Sequence, residues 1–270
     1  MQPSAIDQLK SRMRDTWMAG DFGQIARYSA RGAEEFVDRL TVEPGMQVLD
    51  VACGTGNLAI PAARKGARVT GADIASNLLD QARQRAAAEG LDATFETGDA
   101  EKLPYADGRF DLVMSMFGVM FAPRPERSAA ELCRVCRPGG TIAMANWTPE
   151  GFVGKMFRLS AKYVPPPADI PAPVLWGDEA QVRRRFGAEV SSIQTVRRTL
   201  LVDFPFPPRD VVAHFRHYFG PTKVAFSRLD AAGQSAFAAD LESLWHAHNE
   251  DGDGRTRCAN EYLEVVATRR

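Results

Sequence analysis

The stretch Val48-Leu49-Asp50-Val51-Ala52-Cys53-Gly54-Thr55-Gly56-Asn57 constrains this chain more than any other. A β-forming run carries an acid, passes through small residues and enters a helical pattern. Gly54 and Gly56 permit a tight turn and let a ligand approach the backbone. The helix start beyond them offers free N–H groups and the positive end of a helix dipole. Glycine-x-glycine alone fits a plain structural turn as well as a nucleotide site. Its surroundings decide.

Around it runs a regular alternation. Residues 47–51, 67–72, 93–97, 110–115 and 141–146 read as short strands, and 57–65, 76–89 and 126–136 as helices. Such alternation implies a parallel sheet covered on both faces. Residues 1–40 read as helices, with Ile25, Phe36, Val37 and Leu40 among charges, and Pro44-Gly45 breaks the chain after them. After Trp147 the pattern changes. Residues 150–164 look helical, and Pro165-Pro166-Pro167 with Pro171 and Pro173 forms a stiff connection. Residues 190–202 are strand-like, 210–219 and 230–249 helical, and 257–268 the last strand. The expected organisation is a helical segment over 1–40, a core over 41–149, a cap with a return strand over 150–230, and a last helix and strand over 231–270 completing the core.

Asp50, Asp73 and Asp99 fall at the carboxyl ends of three consecutive strands, the edge where open α/β sheets bind ligands. For any one of them a helix cap or turn role would do; three together point to a ligand. Asp73, 17 residues after Gly56, can accept from both hydroxyls of a ribose. Gly54 to Ala59 also fits the dinucleotide pattern ending in alanine, so a nicotinamide-dependent oxidoreductase is one reading. An acid within the preceding strand does not help a pyrophosphate. It suits an ammonium group. S-adenosylmethionine (SAM) has an ammonium, a ribose and an adenine, and no phosphate.

The motif has company at matching intervals: Gly71-Ala72-Asp73, Gly98-Asp99-Ala100-Glu101-Lys102-Leu103-Pro104-Tyr105, Phe110-Asp111-Leu112-Val113 and Arg137-Pro138-Gly139-Gly140. In order and spacing, over roughly residues 30–147, the sequence resembles the class I SAM-dependent methyltransferases. Ser115-Met116-Phe117-Gly118-Val119-Met120-Phe121 looks like the ubiquinone and menaquinone C-methyltransferases. One departure is Ala52, where the fullest motif has its first glycine. The resemblance implies an α/β, Rossmann-like sheet, mostly parallel with the last strand antiparallel, under an N-terminal helical lid and a helical, aromatic cap insertion. It implies Asp50 near the methionine end, Gly54 and Gly56 under the cofactor, Asp73 on the ribose and Ile74 beside the adenine. Asp99 and Ala100 would meet the adenine amino group, and Ser115 and Met116 the amino-acid portion. Ala52, Thr55, Asn57, Glu101 and Phe117 complete the implied cofactor set, with Trp17 or Tyr28 over it from the lid.

Composition narrows the partners. Lys plus Arg is 33 and Asp plus Glu 34, so a net charge of −1 exerts no pull on nucleic acid. Arg183-Arg184-Arg185, the densest basic run, reads as a solvated helix face. No apolar run approaches the ~20 residues of a membrane span, and Met1 to Arg14 has no signal core, which makes a cytoplasmic location the expectation. Cys133 and Cys136 read as ordinary helical thiols, not a zinc pair. Asn249-Glu250-Asp251-Gly252-Asp253-Gly254 opens like a calcium loop, but its twelfth position is Asn260 and Glu261 misses by one, so no metal is expected. No Asn-Pro-Pro-aromatic motif of nucleic-acid or protein amino-group methyltransferases is present.

The resulting expectation is methyl transfer by in-line displacement to a small, largely apolar or aromatic acceptor. A SAM-binding protein without transfer activity is the other reading of the same motifs, and monomer and homodimer both stay open. Phe152, Phe157, Trp176, Phe204, Phe206, Phe215, Tyr218 and Phe219 are the aromatics expected to divide between the cap's own core and an acceptor pocket. His217 and Tyr218 are the candidate catalytic groups, and a side chain at Gly56 is expected to fill cofactor space.

Overall fold

A computed structural model of the protein describes residues 4–252 and 254–270, and in it the strands form one seven-stranded sheet. β1 (Gln47–Val51), β2 (Arg68–Asp73), β3 (Ala93–Thr97), β4 (Phe110–Met116) and β5 (Cys136–Trp147) are parallel. β6 (Val190–Phe204) and β7 (Thr256–Arg269) complete the order β3-β2-β1-β4-β5-β7-β6, with β7 antiparallel to both neighbours. The chain opens with α1 (Ala5–Met18), a single turn α2 (Gly23–Ala26) and α3 (Ala30–Asp38). α4 (Ala59–Arg64), α5 (Ser76–Ala88) and α6 (Pro125–Val135) connect the parallel strands. α7 (Phe152–Tyr163) and α8 (Glu179–Phe186) precede β6; α9 (Pro208–Tyr218), α10 (Gly220–Ser227) and α11 (Ala231–Ala247) separate β6 from β7.

Strand side chains alternate between faces, and here both faces are covered. Leu49, Val51, Val113, Ile142 and Met144 pack under α6 and α8. Val48, Val69, Leu112 and Met114 pack under α3, α4 and α5. Two-sided burial is why these strands read as continuous apolar runs.

β6 and β7, of 15 and 14 residues, are the longest strands. They pair from Val190↔Arg269 to Phe204↔Thr256, whereas β5 stops pairing with β7 at Trp147↔Tyr262. Residues 256–261 therefore overhang the carboxyl edge of the parallel strands, by roughly 20 Å at ~3.4 Å per residue. On that overhang sits a third core: Phe204 and Cys258 with Phe152 of α7, Val211 of α9, Phe226 of α10, and Phe237 and Trp245 of α11. α11 thus packs into the cap, not onto the sheet.

Other local differences have plain causes. The strand β5 starts at Cys136 because the Pro138-Gly139-Gly140 turn is absorbed as an irregularity between Phe110↔Cys136 and Leu112↔Thr141. Cys133 and Cys136 are buried, and burial pushes their thiols up to about 11 and about 12. Arg183 and Arg184 are solvated, but the Arg185 side chain is 2% exposed and lies 4.5 Å over the Trp176 ring, which sits beneath α8. In the acidic turn, Asp253 lies outside the described residues; Asn260 and Glu261 are strand residues of β7. Among the described residues, no helix is long and apolar enough to cross a membrane.

The sheet leaves no room at Gly71 of β2. A Cβ there would lie 2.6 Å from Phe95 Cδ1 and 2.9 Å from Cys53 Sγ. Interiors are close-packed, so Gly71→Ala should cost about 1–3 kcal/mol of stability. Denaturant unfolding of the two proteins checks this.

Candidate active site

The site grows from the end of β1. Ala52 adopts φ +55° and Phe117, at the end of β4, φ +57°. Left-handed backbone costs a non-glycine residue about 1–2 kcal/mol, which is why a glycine suits position 52. Gly118 packs against it so tightly that a Cβ would lie 2.5 Å from Ala52 O.

The chain itself occupies the donors of the turn. Asp73 Oδ2 accepts from Gly54 N (2.8 Å) and Oδ1 from Ala75 N (2.8 Å). Asp50 Oδ2 accepts from Ala59 N at 3.1 Å, at the start of α4. Cys53 N donates to Ala72 O (3.1 Å) and Gly56 N to Cys53 O (2.9 Å). Burial raises the pKa of Asp73 above the ordinary carboxylate value against the pull of its backbone donors. It raises Asp50 well above that value, with the neighbouring Asp73 charge adding to the effect.

The third acid is held differently. Asp99 Oδ1 accepts from Glu101 N (2.9 Å), and Oδ2 pairs with Lys10 Nζ of α1 at 2.5 Å. Lys10 also reaches Glu101 Oε2 (2.6 Å), and the buried Glu101 is shared with Arg124 Nε (2.7 Å). α1 has no buried residue of its own. It is fastened near its middle by Lys10 and at its last turn by Trp17, whose ring meets Phe22, Phe121 and Phe219 with centroids 5.7, 5.0 and 5.7 Å away.

Beneath α1, at the carboxyl edge of the sheet, is a cavity of about 490 Å³. Of the residues expected from the sequence, Trp17, Asp50, Ala52, Gly54, Thr55, Asn57, Asp73, Ile74, Asp99, Ala100, Met116 and Phe117 line it. Four cofactor candidates do not. Tyr28 faces the cap, 4.4 Å from the Phe204 ring. Gly56 turns away: a Cβ there would meet Phe95 and Ala82 at 3.3 and 3.4 Å, so a side chain would strike the core and not the cavity. Glu101 lies below Lys10 as its anchor. Ser115 is a brace, its hydroxyl donating to Val51 O (2.7 Å) and accepting from Val119 N (3.1 Å).

His217 and Tyr218 are not brought to the site either. α9 turns Phe215 and Phe219 inward, one helical turn apart, so the intervening positions point elsewhere. His217 is exposed, and Tyr218 packs on His214 and His217 with ring centroids 4.8 and 4.5 Å away.

A second chamber of about 100 Å³ adjoins the first and shares Trp17, Phe22, Phe117 and Phe121 with it. Phe152, Phe157, Phe204, Phe215 and Phe219 reach this chamber, as do Trp147, Trp245 and Asn260; Trp176, Phe206 and Tyr218 do not. Sequence reasoning missed Lys10, Phe22, Phe121 and Asn260. Phe121 closed the Ser115–Phe121 stretch without being given a role, and Asn260 left a signal as a strand-averse residue within a β-forming run.

A family model described as "Methyltransferase domain" matches residues 48–140. An uncharacterized protein of Mycobacterium tuberculosis is 42% identical over 231 residues, 85% of this chain and 84% of the relative. A demethylmenaquinone methyltransferase of Deinococcus radiodurans is 40% identical over 124 residues, 44% of this chain and 52% of that protein. Among solved structures, the YcgJ protein of Bacillus subtilis shares the fold with a TM-score of 0.63 at 16% identity, over 89% of this chain and 98% of that one.

Lys10 is the polar fastening of α1. Lys10→Met should release α1 locally while Arg124 keeps Glu101 paired. Losing charge-assisted bonds worth about 1.5 kcal/mol should speed amide hydrogen exchange about tenfold over residues 5–18 and leave β1 and β4 unchanged.

Proposed function

The chain belongs to the class I SAM-dependent methyltransferases, and from that premise we propose that it moves the methyl group to a small, largely apolar or aromatic acceptor by in-line displacement. The observation carrying this reading is the pair of adjoining spaces: an acid-lined cavity beside an aromatic chamber.

The cavity suits the cofactor by its charge. The N–H groups of Cys53, Gly54, Gly56 and Ala59 are spent on the chain's own oxygens, two of them carboxylates. A pyrophosphate would meet Asp50 and Asp73 where it needs donors, which disfavours a nicotinamide dinucleotide. Carboxylates suit an ammonium and hydroxyls instead. A Cβ on Gly54 would project into open space, with only Phe22 near, at 3.8 Å; glycine keeps that floor clear.

In this reading Asp73 holds the ribose hydroxyls while fixing the Gly54 turn, and Ile74 flanks the adenine. Asp99 takes the adenine amino group and gives up part of its hold on Lys10. Asp50 faces the ammonium. The bound cofactor supplies an activated leaving group. The protein supplies alignment, worth up to ~7–11 kcal/mol, and a dry site closed by α1 and the cap. The net charge of −1 supports a small acceptor over a nucleic acid. The likeness to the demethylmenaquinone enzyme spans less than half of this chain, so it supports the cofactor half of the reading, not the acceptor.

Two measurements test this. Asp73→Ala should weaken SAM binding by about 1.5–3 kcal/mol, roughly 10- to 150-fold. It should also lower the melting temperature, since two backbone N–H groups lose their acceptor. Unchanged affinity by calorimetry would sink the ribose assignment. The second is proton release. A cation beside Asp50 favours its charged form, while burial favours the neutral one. Below the raised pKa, SAM binding should expel a proton, and affinity should fall with pH starting above the usual carboxylate range. Calorimetry in buffers of different ionisation enthalpy reads this; Asp50→Asn should abolish it.

A further inference from the structure

The aromatic chamber is built without a base. Among the described residues, its wall carries no Asp, Glu, His, Lys, Arg, Cys or Tyr. Titratable groups stand behind it: Tyr28 and His214 behind Phe204, His248 behind Phe152, and Tyr262 behind Phe117 and Trp147. His214 is further engaged with Gln24 O at 3.1 Å. On the cofactor side, Lys10, Asp50, Cys53, Asp73 and Asp99 line the other cavity, with Asp7 and Arg14 at its rim. Apart from indole N–H groups, the chamber's polar side chains are Ser29, which donates to Ala26 O (2.9 Å), and Asn260. Asn260 is 2% exposed and gives one N–H to Cys258 O at 2.9 Å; its Oδ1 and second N–H are left for an occupant.

Resting on the methyl-transfer reading above, we infer that the acceptor is a single-ring-sized hydroxyaromatic that reacts as its own oxyanion, oriented by Asn260 and deprotonated without a protein base. Size sets the first limit. An apolar cavity of about 150 Å³ admits one benzene, so a chamber of about 100 Å³ takes one ring at most. Charge sets the second. An amine acceptor would leave a new cation in a chamber with no carboxylate to meet it. An oxyanion quenches the sulfonium charge, and quenching opposite charges gains most where water is scarce. The oxyanion lone pair forms the oxygen–carbon bond; the sulfur–methyl bond breaks and its electron pair stays on sulfur. Anion and sulfonium become ether and thioether; the hydroxyl proton has already gone to bulk water, and none moves in the transfer step. The second Asn260 N–H is the donor placed to hold the oxyanion.

The probe is 4-nitrophenol, whose phenolate absorbs in the visible. With sinefungin bound, whose charged amine replaces the sulfonium, the phenol should bind as phenolate at neutral pH. With the neutral S-adenosylhomocysteine it should bind as phenol. With SAM, the pH dependence of kcat/KM for a series of ring-substituted phenols should break at each phenol's own pKa, and benzylamine should not be methylated. Asn260→Leu should raise KM for 4-nitrophenol about tenfold and leave SAM affinity unchanged. A pH limb common to all phenols, benzylamine turnover equal to that of phenols, or sinefungin binding with no phenol binding would each overturn the inference and leave the cofactor reading standing. Failure of both SAM and sinefungin to bind would remove both.

Discussion

The length of β6 and β7 governs the rest of the molecule. Five parallel strands end at a common edge, and an edge alone binds ligands only in an open crevice. Because β7 continues six residues past its last pairing with β5, the same sheet also raises a wall beside that crevice. Apolar residues on the wall, Phe204 and Cys258 among them, must be buried, and α7, α9 and α11 bury them. The cap is therefore an extension of the sheet and not a separate unit on a linker. Its position is fixed by backbone hydrogen bonding, which makes the chamber between cap and lid a property of strand length.

A second constraint is electrostatic. The start of a helix after a glycine turn is a natural anion site. This chain blocks it from within, since Asp50 and Asp73 take the donors an anion would use. Burial raises both carboxyls above their ordinary value, and the Asp73 charge adds to the rise of Asp50. A positive ligand beside Asp50 would favour its charged form. Fold alone does not choose between a dinucleotide and a sulfonium cofactor; the filling of the turn's N–H groups does.

The core was legible because its signals are local. Alternation of short apolar runs with helices located β1 to β5 within a few residues, and the glycines and strand-end acids located the cavity floor. The cap was legible only as composition. Aromatic density announced a second apolar cluster, but which ring faces the chamber depends on helix phase and on partners distant in sequence. Phe215 and Phe219 face in and Tyr218 does not, by one residue of rotation on α9. Trp176 went to the opposite face of the sheet with α8. Lys10 left no local signal at all, since its partners Asp99 and Glu101 lie some ninety residues away. Gly56 was placed in the right turn with the wrong orientation, because sequence shows that a glycine is needed but not which neighbour forbids a side chain.

Trp17 ties these parts together. Its ring touches Phe22 from the lid, Phe121 from the loop after β4 and Phe219 from the cap, and it walls both chambers. α1 is held besides by the Lys10 ion pairs and by Gly220 at the start of α10, which lies so close to Thr16 O that no side chain would fit there. With no buried residue of its own, α1 covers the cavity through these few contacts. Trp17 therefore sits at the seam and belongs to the walls of both spaces at once. One ring thus borders both spaces, so displacing it would open the acid-lined cavity and the aromatic chamber together.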